Sequence, residues 1–299
     1  MNTKLILAII TVAIVWGTTF LTTKIAVETI PAWFVAGLRQ SLAGIILLPI
    51  LLFRKELKWI GWNNFKIQIT LASLMLIGAN GLTTLAQETL NSSLSSLLTA
   101  LSPVIIYIIS LIIGLQQFQF KSLLGIILGL LGVGMIFSDG LQDLANPQYL
   151  KGILILFTGI TSWSLGTVYT KKIKPESNNI LLNLFYQFSF AGIIQIGIAF
   201  YKTPKIQIEN WSTDGILGIL YLAIFGSIIT FFAYHYILTK LLPTQASMLS
   251  YVNTIIAIFL GWLILDEKIT LKFIISTIMI ITGVFIMNYK KGMFKKKII

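Results

Sequence analysis

Arg39 sits about seven residues inside an apolar run, on the order of 10 Å along it if the run is helical. An unpaired charge that deep in hydrocarbon is costly, so Arg39 either contacts an anion or a gate, or is paired or snorkels for structural reasons. His235, the only histidine, can relay protons near neutral pH or simply hydrogen-bond and pack. Glu88 stands at the end of a third apolar run and reads as an interfacial acid. With one histidine, no cysteine and few carboxylates in the apolar runs, the chain offers no metal cluster and no catalytic constellation. No glycine-rich phosphate loop with a following lysine is present, which excludes an ATP-driven pump. The expectation is a non-enzyme without a cofactor.

The uncharged polar residues form stripes. Ser73, Asn80, Thr84 and Gln87 share one helical face in the third run. Ser92, Ser95, Ser96, Thr99, Ser102 and Tyr107 form a comparable stripe in the fourth. Ser227 and His235 share a side of the eighth, and Thr244, Ser247, Tyr251 and Thr254, with Asn253, mark the ninth. In a bilayer a polar side chain needs an internal partner or a watery cavity. Single serines and threonines often serve helix packing or bond their own i−4 carbonyl; stripes on several helices favour a cavity. The candidate cavity residues are therefore Arg39, Asn80, Gln87, Tyr107, His235, Tyr251 and Asn253. Trp16 and Trp163 are candidate gates on opposite closures of the pathway, with belt or packing roles as the alternative.

The elements that must position these groups are membrane helices. The 299 residues are 56% hydrophobic and 11% charged, where a soluble domain carries roughly a quarter charged residues. Apolar runs of about 20 residues match the thickness of a hydrocarbon core. The runs predict an all-α integral membrane protein with ten transmembrane helices, at about 5–23, 32–53, 67–87, 93–115, 122–138, 152–170, 180–201, 215–239, 244–265 and 272–289. The first reads as a retained helix rather than a cleaved signal. Helices 5 and 10 carry few polar residues, and Gly125, Gly129 and Gly132 make helix 5 a packing element or a homodimer face.

The net charge of +12 lies in the loops, where it reports topology rather than a nucleic-acid partner. With the N-terminus inside, 15 basic residues fall in inner segments and 6 in outer ones (Lys24, Lys151, Lys202, Lys205, Lys268, Lys272), which puts both termini in the cytoplasm. The tail lysines Lys290, Lys291, Lys295, Lys296 and Lys297 fix this topology and touch anionic lipid.

The halves also repeat. Trp16 and Lys24 match Trp163 and Lys171 at a spacing of 147, and Ala43-Gly44-Ile45-Ile46 matches Ala191-Gly192-Ile193-Ile194 at 148. Gly78 and Gln87 match Gly226 and His235 at 148; Lys121 and Val133 match Lys272 and Val284 at 151. Five helices per half is an odd number, so the second half enters from the opposite side, giving two inverted five-helix repeats at 1–145 and 146–299.

Trp16-Gly17-Thr18-Thr19-Phe20, Leu38-Arg39-Gln40, the stretch from Ser93 to Leu101-Ser102-Pro103, and Leu265-Asp266-Glu267-Lys268-Ile269 before a final helix with Gly283 together resemble the drug/metabolite transporter superfamily, in its ten-helix EamA type. The resemblance covers essentially the whole chain. It implies a basket of two inverted repeats, with helices 1, 3, 4, 6, 8 and 9 around a central cavity, and alternating-access movement of small metabolites, often export of amino acids or related compounds. The chain departs from the pattern in Gln116-Gln117, where an acidic pair is common, and in Asn253, which matches Pro103.

These readings converge on a secondary transporter of a small polar or amphipathic solute in the cytoplasmic membrane. A proton-coupled multidrug exporter is the first rival and a non-transporting scaffold or receptor the second. The charge bias predicts that cysteines introduced at Gln142 and Asn210 label from outside intact cells, whereas one at Asn178 does not; the reverse pattern overturns the orientation.

Overall fold

The structure is a computed structural model that describes residues 3–90, 92–136, 138, 146–173, 179–256 and 271–288. The motif at 265–269, the last part of the expected ninth helix and the tail lysines lie outside the described residues. Among the described residues every regular element is helical.

In chain order these are α1 Thr3–Val27, α2 Ala32–Phe53, α3 Trp62–Ala86, α4 in two pieces (Ser92–Thr99 and Ser102–Ile112), α5 Phe120–Ile136, α6 Pro147–Lys172, α7 Ile180–Lys202, α8 Thr213–Lys240, α9 (Pro243–Ser247, then 249–256) and α10 Leu271–Asn288. Eight of them are long and apolar enough to cross a membrane, and α5 is a shorter apolar helix. Large side chains such as Ile45, Phe53, Leu131, Ile193 and Phe285 are exposed around the outside, as expected where lipid rather than water is the solvent.

Four departures from regular helix shape the interior of the bundle. In α3 the stretch Ala72–Gly81 is π-helical, and in α8 so is Leu222–Ile229. A π turn inserts a residue and widens the helix. In each stretch a side chain answers the carbonyl five residues back: Asn80 Nδ2 donates to Met75 O (3.3 Å) and Thr230 Oγ1 to Phe225 O (2.5 Å). The third departure is the break in α4 at Ala100–Leu101. Pro103 has no N–H to offer the carbonyl of Thr99, and Ser102 Oγ takes that carbonyl instead at 2.7 Å. In α9 a comparable break falls at Met248.

Contacts between helix ends define two poles. At one, Thr29 Oγ1 meets Ser212 Oγ (2.9 Å), and Glu88 Oε1 accepts from the backbone N–H of Ala32 (2.9 Å). Glu88 is thus the cap of α2, whose own N-cap, Pro31, has no side-chain acceptor. At the other pole Glu56 bridges Arg54 (2.9 Å) and Asn179 (2.7 Å), and these two hydrogen bonds hold its carboxyl below the usual glutamate range. Gln116, in the stretch that departs from the family pattern, accepts from Thr244 Oγ1 at 2.9 Å and joins α4 to α9 there.

The small residues of α5 face inward. A Cβ on Gly125 would stand 2.6 Å from the carbonyl oxygen of Gly283, and one on Gly132 2.9 Å from that of Ser276, so α5 and α10 touch backbone to backbone. The glycine face is therefore occupied by α10 within the chain. Gly125→Val should lower the melting temperature of the purified protein, at a cost of roughly 1–3 kcal/mol or more from overpacking. Gly134→Val, where a Cβ meets nothing within 4 Å, should leave it near wild type.

Candidate functional site

α1, α2, α3, α4, α6, α8 and α9 line a cavity of about 140 Å³, set between helices as small-molecule sites in bundles are. Its floor is aromatic. Trp16 and Trp163 meet edge to face with centroids 5.2 Å apart, Phe231 stands 5.8 Å from Trp163, and Tyr234 lies behind, 5.0 Å from Trp16 and 5.2 Å from Trp163. Tyr234 is anchored by Thr167 at 3.2 Å. The two tryptophans therefore share one closure at the middle of the bundle; the expectation that they line opposite closures does not describe this conformation.

Above the floor the walls turn polar and run towards the Glu88 pole. Thr19 and Thr23 of α1, Asn80, Thr83, Thr84 and Gln87 of α3, Ser96, Thr99 and Ser102 of α4, and Ser250 and Asn253 of α9 line it. Several of the hydroxyls are committed to their own helix: Thr84 donates to Asn80 O and Thr99 to Ser95 O. Asn253 is satisfied with its amide nitrogen turned to Leu249 O (2.8 Å) and Ala13 O (3.2 Å), tying α9 to α1. Gln87 Oε1 is buried and without a hydrogen-bond partner among the described residues. Its backbone carbonyl takes Lys24 Nζ at 2.9 Å, so a cation stands at the rim.

Arg39 enters the cavity wall from α2, a helix outside the six expected to surround it. It is 5% exposed. Nε donates to Ser227 Oγ (2.8 Å), Nη1 to Asn80 Oδ1 (3.0 Å) and Nη2 to the backbone carbonyl of Gly226 (2.8 Å). That carbonyl belongs to the π stretch of α8 and Asn80 to that of α3. Gly226 has to be small: a Cβ there would meet Arg39 Nη2 and Thr19 at 3.2 Å. Every one of these acceptors is neutral, and among the described residues no carboxylate pairs with the guanidinium.

The sequence profile of the EamA-like transporter family matches the chain twice, over residues 3–138 and 150–289. The chain belongs to the EamA-like transporter family. It is 24% identical to the uncharacterized transporter YoaV of Bacillus subtilis over 96% of this chain and 97% of that one. It is 29% identical to the uncharacterized inner membrane transporter YedA of Escherichia coli K12, over 85% and 80%. An uncharacterized transporter of Buchnera aphidicola from Schizaphis graminum is 30% identical over 87% and 86%. A solved crystal structure superposes on 96% of this chain and 98% of its own with a TM-score of 0.75 at 15% identity, a likeness of fold. This EamA-family chain is accordingly a multi-pass membrane protein.

Of the candidates read from sequence, the structure brings Trp16, Arg39, Asn80, Gln87, Trp163 and Asn253 onto the one cavity. Three lie elsewhere. Tyr107 is buried at the α4–α5 connection, its hydroxyl donating to Gln119 O (3.2 Å) and accepting from Gln119 N (3.0 Å). Tyr251 is fully buried between α9 and α5, its ring against Gly129 and its hydroxyl on Ile126 O (3.2 Å). His235 bonds Phe231 O of its own helix through Nδ1 (2.9 Å) and does not line the cavity.

Sequence reading missed Thr19, Thr23 and Phe231. The first two had a signal, since Trp16, Thr19, Phe20 and Thr23 recur at helical spacing on one face of α1. Phe231 had none, because an apolar residue on a floor looks like one in a core.

Tyr251→Ala should destabilise the detergent-purified protein by about 3–5 kcal/mol, as for other buried aromatic truncations, and Tyr251→Phe by about 1 kcal/mol for one hydrogen bond. Gln87→Ala should change the thermal midpoint little. Equal losses in Gln87→Ala and Tyr251→Ala would mean that Gln87 packs rather than lines.

Proposed function

We propose that the chain is a secondary transporter that moves a small polar or amphipathic metabolite, of the size of an amino acid, across the cytoplasmic membrane by alternating access, with export as its direction. The observation that carries this reading is an amphipathic cavity, with polar side chains set in a largely apolar lining, walled by helices from both halves and closed at mid-bundle by the Trp16–Trp163–Phe231–Tyr234 cluster. A path that is open on one side of a floor and sealed on the other is what one state of such a carrier requires.

Two inverted five-helix repeats, at 1–145 and 146–299, supply the second state on this reading. Support comes from the double match to the family profile, and from the π stretches of α3 and α8 and the breaks of α4 and α9 at corresponding places. Each half can adopt the conformation the other shows, so the two accessibilities lie close in energy, and a solute that binds them unequally shifts the population. With both termini cytoplasmic, the cavity faces outward and the aromatic floor seals the cytoplasmic side. Among the described residues the cavity wall contains no acid and no histidine, which favours a metabolite carrier over a drug exporter driven through a carboxylate or histidine relay.

The test is flux in proteoliposomes across a panel of labelled metabolites, with Asn80→Ala lowering the rate of any transported solute while the protein stays monodisperse. No flux for any member sinks the reading. The floor makes a second claim: Trp16→Ala and Trp163→Ala should each raise the labelling of a cysteine at Thr167, one turn beyond Trp163, from the cytoplasmic side. The chain has no cysteine of its own to confuse the assay. Unchanged labelling in both variants would make the tryptophans packing residues.

A further inference from the structure

The cavity holds a buried cation whose charge no group among the described residues balances. Arg39 spends one N–H on each of Ser227, Asn80 and Gly226 O, all neutral. A guanidinium carries a second N–H on each terminal nitrogen, and neither of these has an acceptor among the described residues. Arg39 itself is 5% exposed and lines the cavity. Lys24 adds a second positive charge at the rim.

Among the described residues the acids are committed or lie at exposed helix ends. Glu88 caps α2 through Ala32 N, Glu56 pairs with Arg54 at the opposite pole, and Glu28, Glu209 and Asp214 are exposed. In a low-dielectric wall such an arrangement favours an anion strongly, and a carboxylate matches the planar fork of a guanidinium with two parallel hydrogen bonds. The floor sets the other half of the specificity, because Trp16, Trp163 and Phe231 present apolar ring surface.

The geometry points to a carboxylate-bearing amphipath as the solute: its carboxylate takes the free N–H groups of Arg39 and its apolar part lies on the Trp16–Trp163–Phe231 floor. This rests on the reading of the cavity as a transport site and names its substrate class. The position has no counterpart in the other half, where the residue matching Arg39 at a spacing of 148 is Gln187, which donates to Gln68 Oε1 at 2.7 Å. The anion site is therefore single, and it belongs to α2.

The test uses the purified full chain and three matched probe pairs: acetate and acetamide, phenylacetate and phenylacetamide, indole-3-acetate and indole-3-acetamide. Calorimetric binding should favour the two aromatic anions over their amides by at least about tenfold, the scale of one charged hydrogen bond, with acetate weak for want of a ring. Arg39→Gln should erase the anion-to-amide ratio and Arg39→Lys should keep part of it.

Should Arg39→Gln fail to fold, Asn80→Asp answers the same question, because a carboxylate built beside Arg39 keeps the arginine and neutralises it; anion preference should vanish there too. Amides binding as tightly as anions in every pair, including absence of binding by all six probes, overturns the inference, as does a preference that survives in Asn80→Asp. Flux of a neutral solute without anion preference would overturn this inference and leave transport standing. Arg39-dependent anion binding in a protein that carries no solute would do the reverse.

Discussion

Inside a bilayer no water is available to satisfy a polar group, and the bundle is organised around that constraint where it is most acute, at the guanidinium of Arg39. A charge at the centre of a membrane costs about 2.5–3.5 kcal/mol on insertion scales. Here it is met by backbone and side-chain acceptors in and beside the irregular helix segments. The carbonyl of Gly226, within the π stretch of α8, accepts from Arg39 Nη2 at 2.8 Å. The π stretch of α3 presents Asn80 to Nη1. One side chain of α2 thereby locks together the widened segments of two other helices, and the cavity lies where those segments widen.

The same exchange recurs on the opposite flank. Gln195 of α7 donates to Leu76 O at 2.9 Å, and Ser162 of α6 to Leu74 O at 2.8 Å, both within the π stretch of α3. The helix ends follow a parallel rule. Lys24 of α1 donates to Gln87 O at the end of α3, and Lys171 of α6 donates to Leu238 O near the end of α8, at opposite poles. Cations at helix C-termini are favourable in charge as well as in hydrogen bonding. The two lysines are the pair that the repeat spacing of 147 connects, so the correspondence seen in sequence extends to what the residues do.

The misplacement of Tyr107, Tyr251 and His235 has a common physical origin. Helical periodicity tells which face of a helix avoids lipid, but a face that avoids lipid can look into a cavity or onto another helix. Ser102 and Tyr107 share α4, yet Ser102 lines the cavity while Tyr107 clasps the next connection. Tyr251 and Asn253 are two residues apart on α9, about 200° around the helix, so only one can face the cavity; the other fills the space that Gly129 leaves on α5. Trp16 and Trp163 likewise read as equivalent in the repeat, and equivalence says nothing of whether they point at each other.

Composition, run length and spacing were enough to specify a helical membrane protein, most helix positions to within a few residues, the small-residue face of α5, and the polar cast of α3 and α4. These follow from local physics, because burial in lipid constrains each segment separately. The π stretches, the break at Ala100–Leu101, the capping of α2 by Glu88, the shared aromatic floor and the partners of Arg39 came only with the folded chain. The contacts among them join residues far apart in sequence, 188 positions for Arg39 and Ser227 and more for Trp16 and Tyr234. Their existence depends on which carbonyl is left open and which side chain can reach it, and that is a property of helices packed against one another rather than of any helix alone.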